Sequence, residues 1–526
     1  MFYRASLQAA AALASLSLLA GCGLLPGGSS DVEQKLAVGT TSEPSTLDPA
    51  AAWDGSWELM RNVFQTLVSF PTGATSPEPD AADNCRFTDH TSTAYRCELR
   101  KGLKFSNGDK LDAEAVKYSI DRIRSIAVKG GPVGMLGSLD QVETKGDDVV
   151  VFHLTKPDAT FPFILATPAM SLVAPSAYGK HKIRNDGKVT GSGPYLLESY
   201  QQGDRSVLKR NPDYKGFADR KNDQVTIRYY KESGDVISAL RKNEIDAIYR
   251  GLRAEDVVSL EDNKDANKDL QIVETVGADI RFLVFNPQDK AAGNPAVRRA
   301  IAQLVDRDAL VAKVYQGTAE PLYSMVPKGI ATHTTSFFDT FGDPSRDKAE
   351  QILRKAGITE PVAMTFWYTT DRYGSSTAPE FAELKRQLES SGLFRITLKS
   401  KPWKTFQEGF TKGEFPVFGR GWFPDFPDPD NFIAPFVGKD SVTGTPYVKT
   451  EITNELLPQS RKESDRGAVS KQFERAQKIL VDDVRLLPLW QGKLYVAAGE
   501  DIGGGERALD PQTVMQMWEL YRKASW

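Results

Sequence analysis

Strand-like runs and helix-like stripes alternate along the whole of this 526-residue chain, and the alternation narrows the fold more than any other feature. Interleaved patterns of this kind put helices on sheets, in an α/β or mixed α+β architecture. "KLAVGT" reads as a first strand running into the loop "EPSTLDPA", and "GDDVVVFHL" and "DQVTIRYY" carry β-branched and alternating patterns. Three helices are marked by caps and stripes. "NPAVRRAIAQLVDRDAL" opens on Asn294 and Pro295 and places Val297, Ile301, Leu304 and Val305 on one face. "SRDKAEQILRKAG" sets Ala349, Ile352, Leu353 and Ala356 on a stripe and stops at Gly357. "LDAEAVKYSIDRI" starts at an aspartate cap and turns Val116, Ile120 and Ile123 inward. A chain this long exceeds one hydrophobic core, so about two to four domains are expected.

The N-terminus says where the protein works. "MFYR" carries positive charge, and "ASLQAAAALASLSLLAG" is an apolar run too short and too rich in Ala and Ser to span a bilayer stably. It ends in "LAGC", which resembles a bacterial lipobox, where small residues fit a narrow peptidase site and the cysteine becomes a lipid thioether. On this reading residues 1–21 are a signal peptide and Cys22 is the lipidated first residue of the mature chain. An ordinary secretory signal that happens to contain cysteine is the alternative. Two or more acyl chains would anchor the protein where a single chain would not. "GLLPGGSS" follows as a flexible tether, so that residues 22–31 join anchor to fold. No other apolar run is long enough to cross a membrane. The expected location is the extracytoplasmic face of the cell membrane.

Cysteine usage agrees with that location. Beyond Cys22 there remain Cys85 and Cys97, an even pair flanking "RFTDHTSTAYR", whose polar middle suits a hairpin. A disulfide closing so short a loop stabilises by roughly 3 kcal/mol on the chain-entropy model. Two free buried thiols are the alternative.

Several chemistries are poorly supplied. Lys+Arg 66 against Asp+Glu 69 leaves a net charge of -3, with no basic excess for a nucleic acid backbone. The four histidines, His90, His153, His181 and His333, are scattered, and neither a His-x-x-x-His pair nor a cysteine cluster offers a metal site. There is no P-loop. Ser192 in "VTGSGPY" lacks the spacing of a nucleophile elbow, and Gly191 and Gly193 beside it read as steric relief in a turn. The abundance of acidic residues makes chance carboxylate pairs inevitable, so no glycosidase dyad is argued from them. No cofactor and no catalytic residue is expected.

"WFPDFPDPDN", Trp422 to Asn431, is the unusual stretch. Its prolines forbid a helix and remove ladder donors, which makes it a stiff, irregular loop. Pro and Asp are common in exposed turns, but a tryptophan and two phenylalanines are not. Rings beside carboxylates suit a ligand part apolar and part cationic; the alternative is a loop whose rings plug into the core. The alternating carboxylates look like a calcium loop, yet the turn glycine and closing glutamate are missing.

Several stretches, in order, resemble solute-binding protein family 5, the oligopeptide- and dipeptide-binding receptors of ABC importers. "YRCELRKGLKFSNGDKLDAEAVKYSIDRI" is similar to that family's strand, Leu-Arg-x-Gly, Phe-Ser-x-Gly and helix. "GSGPYLLESY" with "LKRNPDYKG", "ALRKNEIDAI", "FNP" with "NPAVRRAIAQLVDRDAL", "RDKAEQILRKAG", "RGWFPDFPDPDNF" and "AQKILVDDVRLLPLW" follow in the family's order. Together they cover nearly the whole mature chain.

The resemblance implies a periplasmic-binding-protein-like fold of two lobes and three domains, joined by two crossing strands, with the ligand enclosed between the lobes. Domain I is expected from residues 32–60, 189–285 and 488–526, domain II from 61–188, and domain III from 286–487. The resemblance also implies a monomer that captures a peptide and delivers it to a membrane permease. In peptide-binding members the Asp three residues after Gly-Trp takes the α-ammonium, and that position is Asp425, with Trp422 the matching ring. Gly421, Phe423 and Phe426 complete the expected ligand loop, while Asp428 and Asp430 are expected to cap or turn the chain. An enclosed ammonium needs a paired carboxylate to offset desolvation, and a nearby indole adds cation–π attraction. One departure stands out: some relatives carry an arginine three residues before the tryptophan, where this chain has Gly419, and Arg420 is one place off and faces the other way on a strand. Oligosaccharides, nickel complexes and opines are alternative solutes in the wider family. A surface-anchored hydrolase is the rival class, and it lacks a nucleophile–base pair or metal.

Overall fold

The two longest strands, Leu270–Phe285 and Leu486–Gly499, run antiparallel side by side through the middle of one sheet. They belong to a computed structural model that describes residues 34–52, 55–263 and 267–524. The signal segment, Cys22 and the tether lie outside these residues. On one side of the long pair the sheet continues through Val417–Trp422, Val362–Thr369 and Phe394–Lys401. On the other side it continues through Ala247–Tyr249, Lys35–Thr40, Gln224–Tyr229, Arg205–Arg210 and Tyr195–Gln201. The expected strands "KLAVGT" and "DQVTIRY" are therefore neighbours, paired in parallel from Lys35 and Gln224 onward.

The hydrophobic cores divide this sheet into two bodies. One core gathers buried residues from Leu36 to Tyr249 and from Val496 to Leu520, with a small satellite around Val236, Leu240 and Ala497. Two further cores draw on Ala278 to Trp490. The long strands contribute to both bodies, but Glu274–Gly277 and Gln491–Tyr495 contribute to neither. There the register shifts between Val276 and Ile280, and Val276 is 64% exposed. A Cβ on Gly277 would sit 2.3 Å from the Gly492 carbonyl oxygen, so the two backbones approach where only glycine fits.

A separate four-stranded sheet, Ala82–Phe87, Ala94–Leu99, Val149–Leu154 and Leu139–Lys145, packs against helix Ala113–Ile126. Asp112 caps that helix by accepting from the Ala115 amide at 3.1 Å, and Val116, Ile120 and Ile123 are buried as their spacing requires. Cys85 and Cys97 stand opposite each other in the hairpin register with their sulfurs bonded. Gly191 and Gly193 lie against Val63 and Phe64, where a Cβ would come 2.1 Å from the Val63 oxygen or 2.5 Å from its carbonyl carbon; close backbone approach is what excludes larger residues here.

Two helical expectations are corrected. The stripe from Asn294 is not one helix: Pro295–Leu304 ends as Val305 becomes extended, and Arg307–Leu310 begins anew. The Asp306 carboxylate accepts from the Ala309 amide at 2.8 Å and so starts a second helix where the periodicity alone continues the first. The stripe from Ser345 buries Ala349 and Leu353, half-buries Ile352 and leaves Ala356 exposed, because the helix stops at Lys355 and turns through Gly357 at φ 75°.

Candidate functional site

Strand Val417–Trp422 pairs with Leu270–Phe285, setting Gly421 opposite Arg281 and Trp422 opposite Ile280, and delivers the chain into the proline-rich loop at the junction of the two bodies. A Cβ on Gly421 would lie 2.7 Å from Arg281 Nη1 and 2.8 Å from the Tyr373 ring. The absence of a side chain there lets the guanidinium pass. Arg281 then sits 4.5 Å from the Tyr373 ring, 4.9 Å from Phe423 and 5.0 Å from Trp490, with Asp279 its ion-pair partner at 3.3 Å. Beside this buried cation, and lined by the same rings, lies a cavity of about 310 Å³ between the bodies. Phe423, Pro424, Tyr373, Trp490, Asp279 and Arg250 line it, so both bodies face the same space. A cavity with aromatic walls and a few placed charges has the make-up of a small-ligand site.

Asn431 organises the loop. Its Oδ1 accepts from Trp422 Nε1 at 3.0 Å and from the Asp425 amide at 3.1 Å, and its Nδ2 donates to Asp425 Oδ2 at 3.3 Å. The Trp422 ring also meets Phe436 edge-on at 5.2 Å. Asp425 thus has its amide and its carboxylate held by one neutral side chain. Burial pushes its carboxyl up to about 6, and the Asn431 hydrogen bond opposes that shift only in part. Among the described residues it has no ion-pair partner.

The other carboxylates of the loop are saturated. Asp428 accepts from the Asp430 amide at 2.8 Å, capping the short 3-10 turn Pro429–Phe432, and takes a fork from Arg466 at 2.7 and 3.0 Å. Asp430 takes a fork from Arg461 at 2.8 Å on both oxygens. Of the rings, Phe423 is 45% exposed beside the cavity, whereas Phe426 is buried against Phe163 in the first core. Arg420 is buried with its guanidinium 4.4 Å from the Phe410 ring, while Gly419 abuts Phe381; the two neighbours face opposite sides of the sheet. Among the described residues no group of His, Cys, Asp and Glu side chains gathers to hold a metal.

Comparison with known proteins agrees with this geometry. Residues 76–444 match the model of the bacterial extracellular solute-binding proteins, family 5. The chain belongs to this family. A probable D,D-dipeptide-binding periplasmic protein, DdpA of Escherichia coli K12, is 26% identical over 486 residues, covering 89% of this chain and 90% of that one. A dipeptide-binding protein of Pseudomonas aeruginosa is 25% identical, covering 88% and 90%. Among solved structures, the periplasmic binding protein DppA of Helicobacter pylori, in complex with the peptide STSA, superposes with TM-score 0.75 at 23% identity, covering 94% and 99%. HbpA2 of Haemophilus parasuis superposes with TM-score 0.81 at 19% identity, covering 93% and 100%. The two bodies are thus the lobes of a periplasmic-binding-protein fold, and the cavity of this family 5 protein lies in its interlobe cleft.

The walls of that cleft are what sequence reading passes over. Asp279 and Trp490 sit on the crossing strands, and Tyr373 follows strand Val362–Thr369; Asp279 and Tyr373 carry no motif, and Trp490 ends the stretch "AQKILVDDVRLLPLW" with nothing there to mark it as a cavity residue. Their one shared signal is an ionisable or aromatic residue at the end of a β-pattern.

Proposed function

We propose that this protein is a lipid-anchored receptor that encloses a peptide between its lobes and delivers it to the membrane permease of an ABC importer. The observation that carries the reading is Asp425: a carboxylate drawn out of water, next in the chain to the cavity-lining Phe423 and Pro424, with no ion-pair partner among the described residues. A peptide α-ammonium supplies the missing charge, and the aromatic walls accommodate side chains. Arg250, paired with Glu58, and Lys493 line the same cavity, which suits a ligand that also bears a carboxylate. The dipeptide-binding relatives support the same choice.

Residues 286–487, with the strand ends Ala278–Phe285 and Leu489–Trp490 that pack into its cores, form the second lobe, and the rest of the discontinuous domain I with its insertion 61–188 forms the first. Closure is a hinge motion, centred where the crossing strands leave both cores, and the ligand drives it by touching both lobes. Cys22 carries the acyl anchor, and the monomer works at the extracytoplasmic face. Among the described residues no helix is long and apolar enough to cross a membrane.

Calorimetry with a free tripeptide and its N-acetylated form tests the reading. Acetylation removes the ammonium and is expected to weaken binding by about 2–5 kcal/mol, roughly thirty-fold to several thousand-fold. Equal binding of the two forms overturns the assignment and favours a neutral solute such as an oligosaccharide. Peptides recovered after incubation return whole; fragments would mark a hydrolase instead.

A further inference from the structure

One ring in the core of the first lobe is supplied by the second. Phe426 leaves the ligand loop, is 6% exposed and lies 6.1 Å from Phe163, inside the core built on residues 36–249 and 496–520. Three hydrogen bonds surround this plug, and all run the same way. Gln512 Nε2 donates to the Asp425 carbonyl at 2.9 Å, the Ala159 amide to the Arg461 carbonyl at 2.8 Å, and Ser92 Oγ to the Lys462 carbonyl at 2.9 Å. Every donor belongs to the first lobe and every acceptor is main chain of the second. Ser92 makes its contact from a left-handed backbone at φ 54°, a conformation that a non-glycine residue keeps only where its surroundings hold it.

Gln512 is the member whose chemistry is fixed in advance. Its Oε1 accepts from Arg61 Nη2 at 2.5 Å, and arginine has donors only, so the amide nitrogen must face the loop. Arg61 is itself immobilised by Asp510 at 3.1 Å, Ser69 at 2.6 Å and the Ala166 carbonyl at 2.9 Å. The donor therefore waits in place on the first lobe whether or not the second lobe is docked.

We propose that Phe426 and Gln512 form a latch that holds the lobes together in the ligand-free protein and positions the main chain of Asp425. The inference rests on the two-lobed closure reading but not on the ligand being a peptide. Gln512 is a positioning residue: it touches the ligand loop from behind, not the ligand. Docking the plug and placing the ligand carboxylate become one event, because Asp425 and Phe426 are adjacent in the chain. A variant that loosens the plug must then also shorten ligand residence.

Gln512→Glu separates the latch from simple stability. The new carboxylate strengthens the contact to Arg61, so the first lobe keeps its fold, but it turns an acceptor oxygen toward the Asp425 carbonyl. Hydrogen exchange on the full chain without added ligand reads the result at the Ala159 amide, which only the second lobe protects. Wild type is expected to protect that amide, and Gln512→Glu to speed its exchange about fivefold or more, with an unchanged melting temperature and unchanged protection in strand Val149–Leu154. Phe426→Leu, shorter but apolar, must move the same amide in the same direction. An unprotected Ala159 amide in wild type overturns the latch. So does unchanged exchange in both variants, or a loss of protection that only follows a lower melting temperature. Because no ligand is added, failure to bind peptides leaves this result untouched.

Discussion

Asp425 and its neighbours Asp428 and Asp430 share one loop and one set of prolines, yet they are treated oppositely. Asp428 and Asp430 each meet an arginine fork, Arg466 and Arg461, and their charge is neutralised inside the protein. Among the described residues the Asp425 carboxylate meets Asn431, a neutral side chain, and rises to about 6. The contrast separates carboxylates that build the loop from one whose charge the described residues leave unpaired. Proximity in sequence says nothing about which is which; the charge standing opposite does.

The contrast breaks most visibly at Asp428. Asp428→Asn leaves Arg466 buried without its counter-charge and is expected to destabilise the protein by about 3–5 kcal/mol in denaturant unfolding, with affinity for a free tripeptide nearly unchanged. Asp425→Asn should do the reverse. Affinity for the free peptide falls by about 2–5 kcal/mol while stability holds or rises, and N-acetylating the peptide costs this variant little, since both changes remove one interaction. Calorimetry that finds wild type and Asp425→Asn within a factor of two would end the comparison.

A smaller effect is expected from pH. The folded carboxyl of Asp425, about 6, lies above the unfolded value near 3.9. Below the unfolded value both states are protonated and nothing is lost. As pH rises from about 4 to 6 the unfolded state sheds its proton first, so this residue lowers stability by about 2 kcal/mol over that window. Asp425→Asn removes that slope, and the difference between the two unfolding profiles measures it. Peptide affinity runs the other way and weakens as pH falls through 6, because the protonated acid no longer pairs with an ammonium. The smallest change is expected for Asn431→Ser, which frees Trp422 and Asp425 together and should weaken peptide binding by about 1 kcal/mol with a modest loss of stability.

Much of the scaffold was legible in the residues. Period-two and helical patterns locate the strands from Lys35, Val149 and Gln224 and the helix from Ala113, because each follows from local burial. The family's order of motifs adds the two-lobed arrangement. The break at Val305 was not legible, since the hydrophobic period continues through it while a side-chain cap at Asp306 overrides it. In the proline-rich loop, residue types alone read as a row of ligand contacts. The structure sends Phe423 to the cavity and Phe426 to the opposite core, a division made by tertiary packing. Gln512 was invisible for the same reason: its role depends on Arg61, far away in the chain.

The crossing strands also govern the order in which the molecule can be completed. The first lobe begins at the N-terminal end, yet its sheet and core need residues 486–520. Leu270–Val276 pairs with Lys493–Gly499, and Arg61 closes on Asp510 across 449 residues. A chain made from its N-terminus therefore finishes the second lobe before the first, as an insertion between halves of an unfinished sheet. Contacts so distant in sequence form slowly. Until the last strand arrives, the edges it will cover at Ala247–Tyr249 and Leu270–Phe285 stay open to pairing with other chains, and a nascent protein of this kind gains most from a chaperone during that interval.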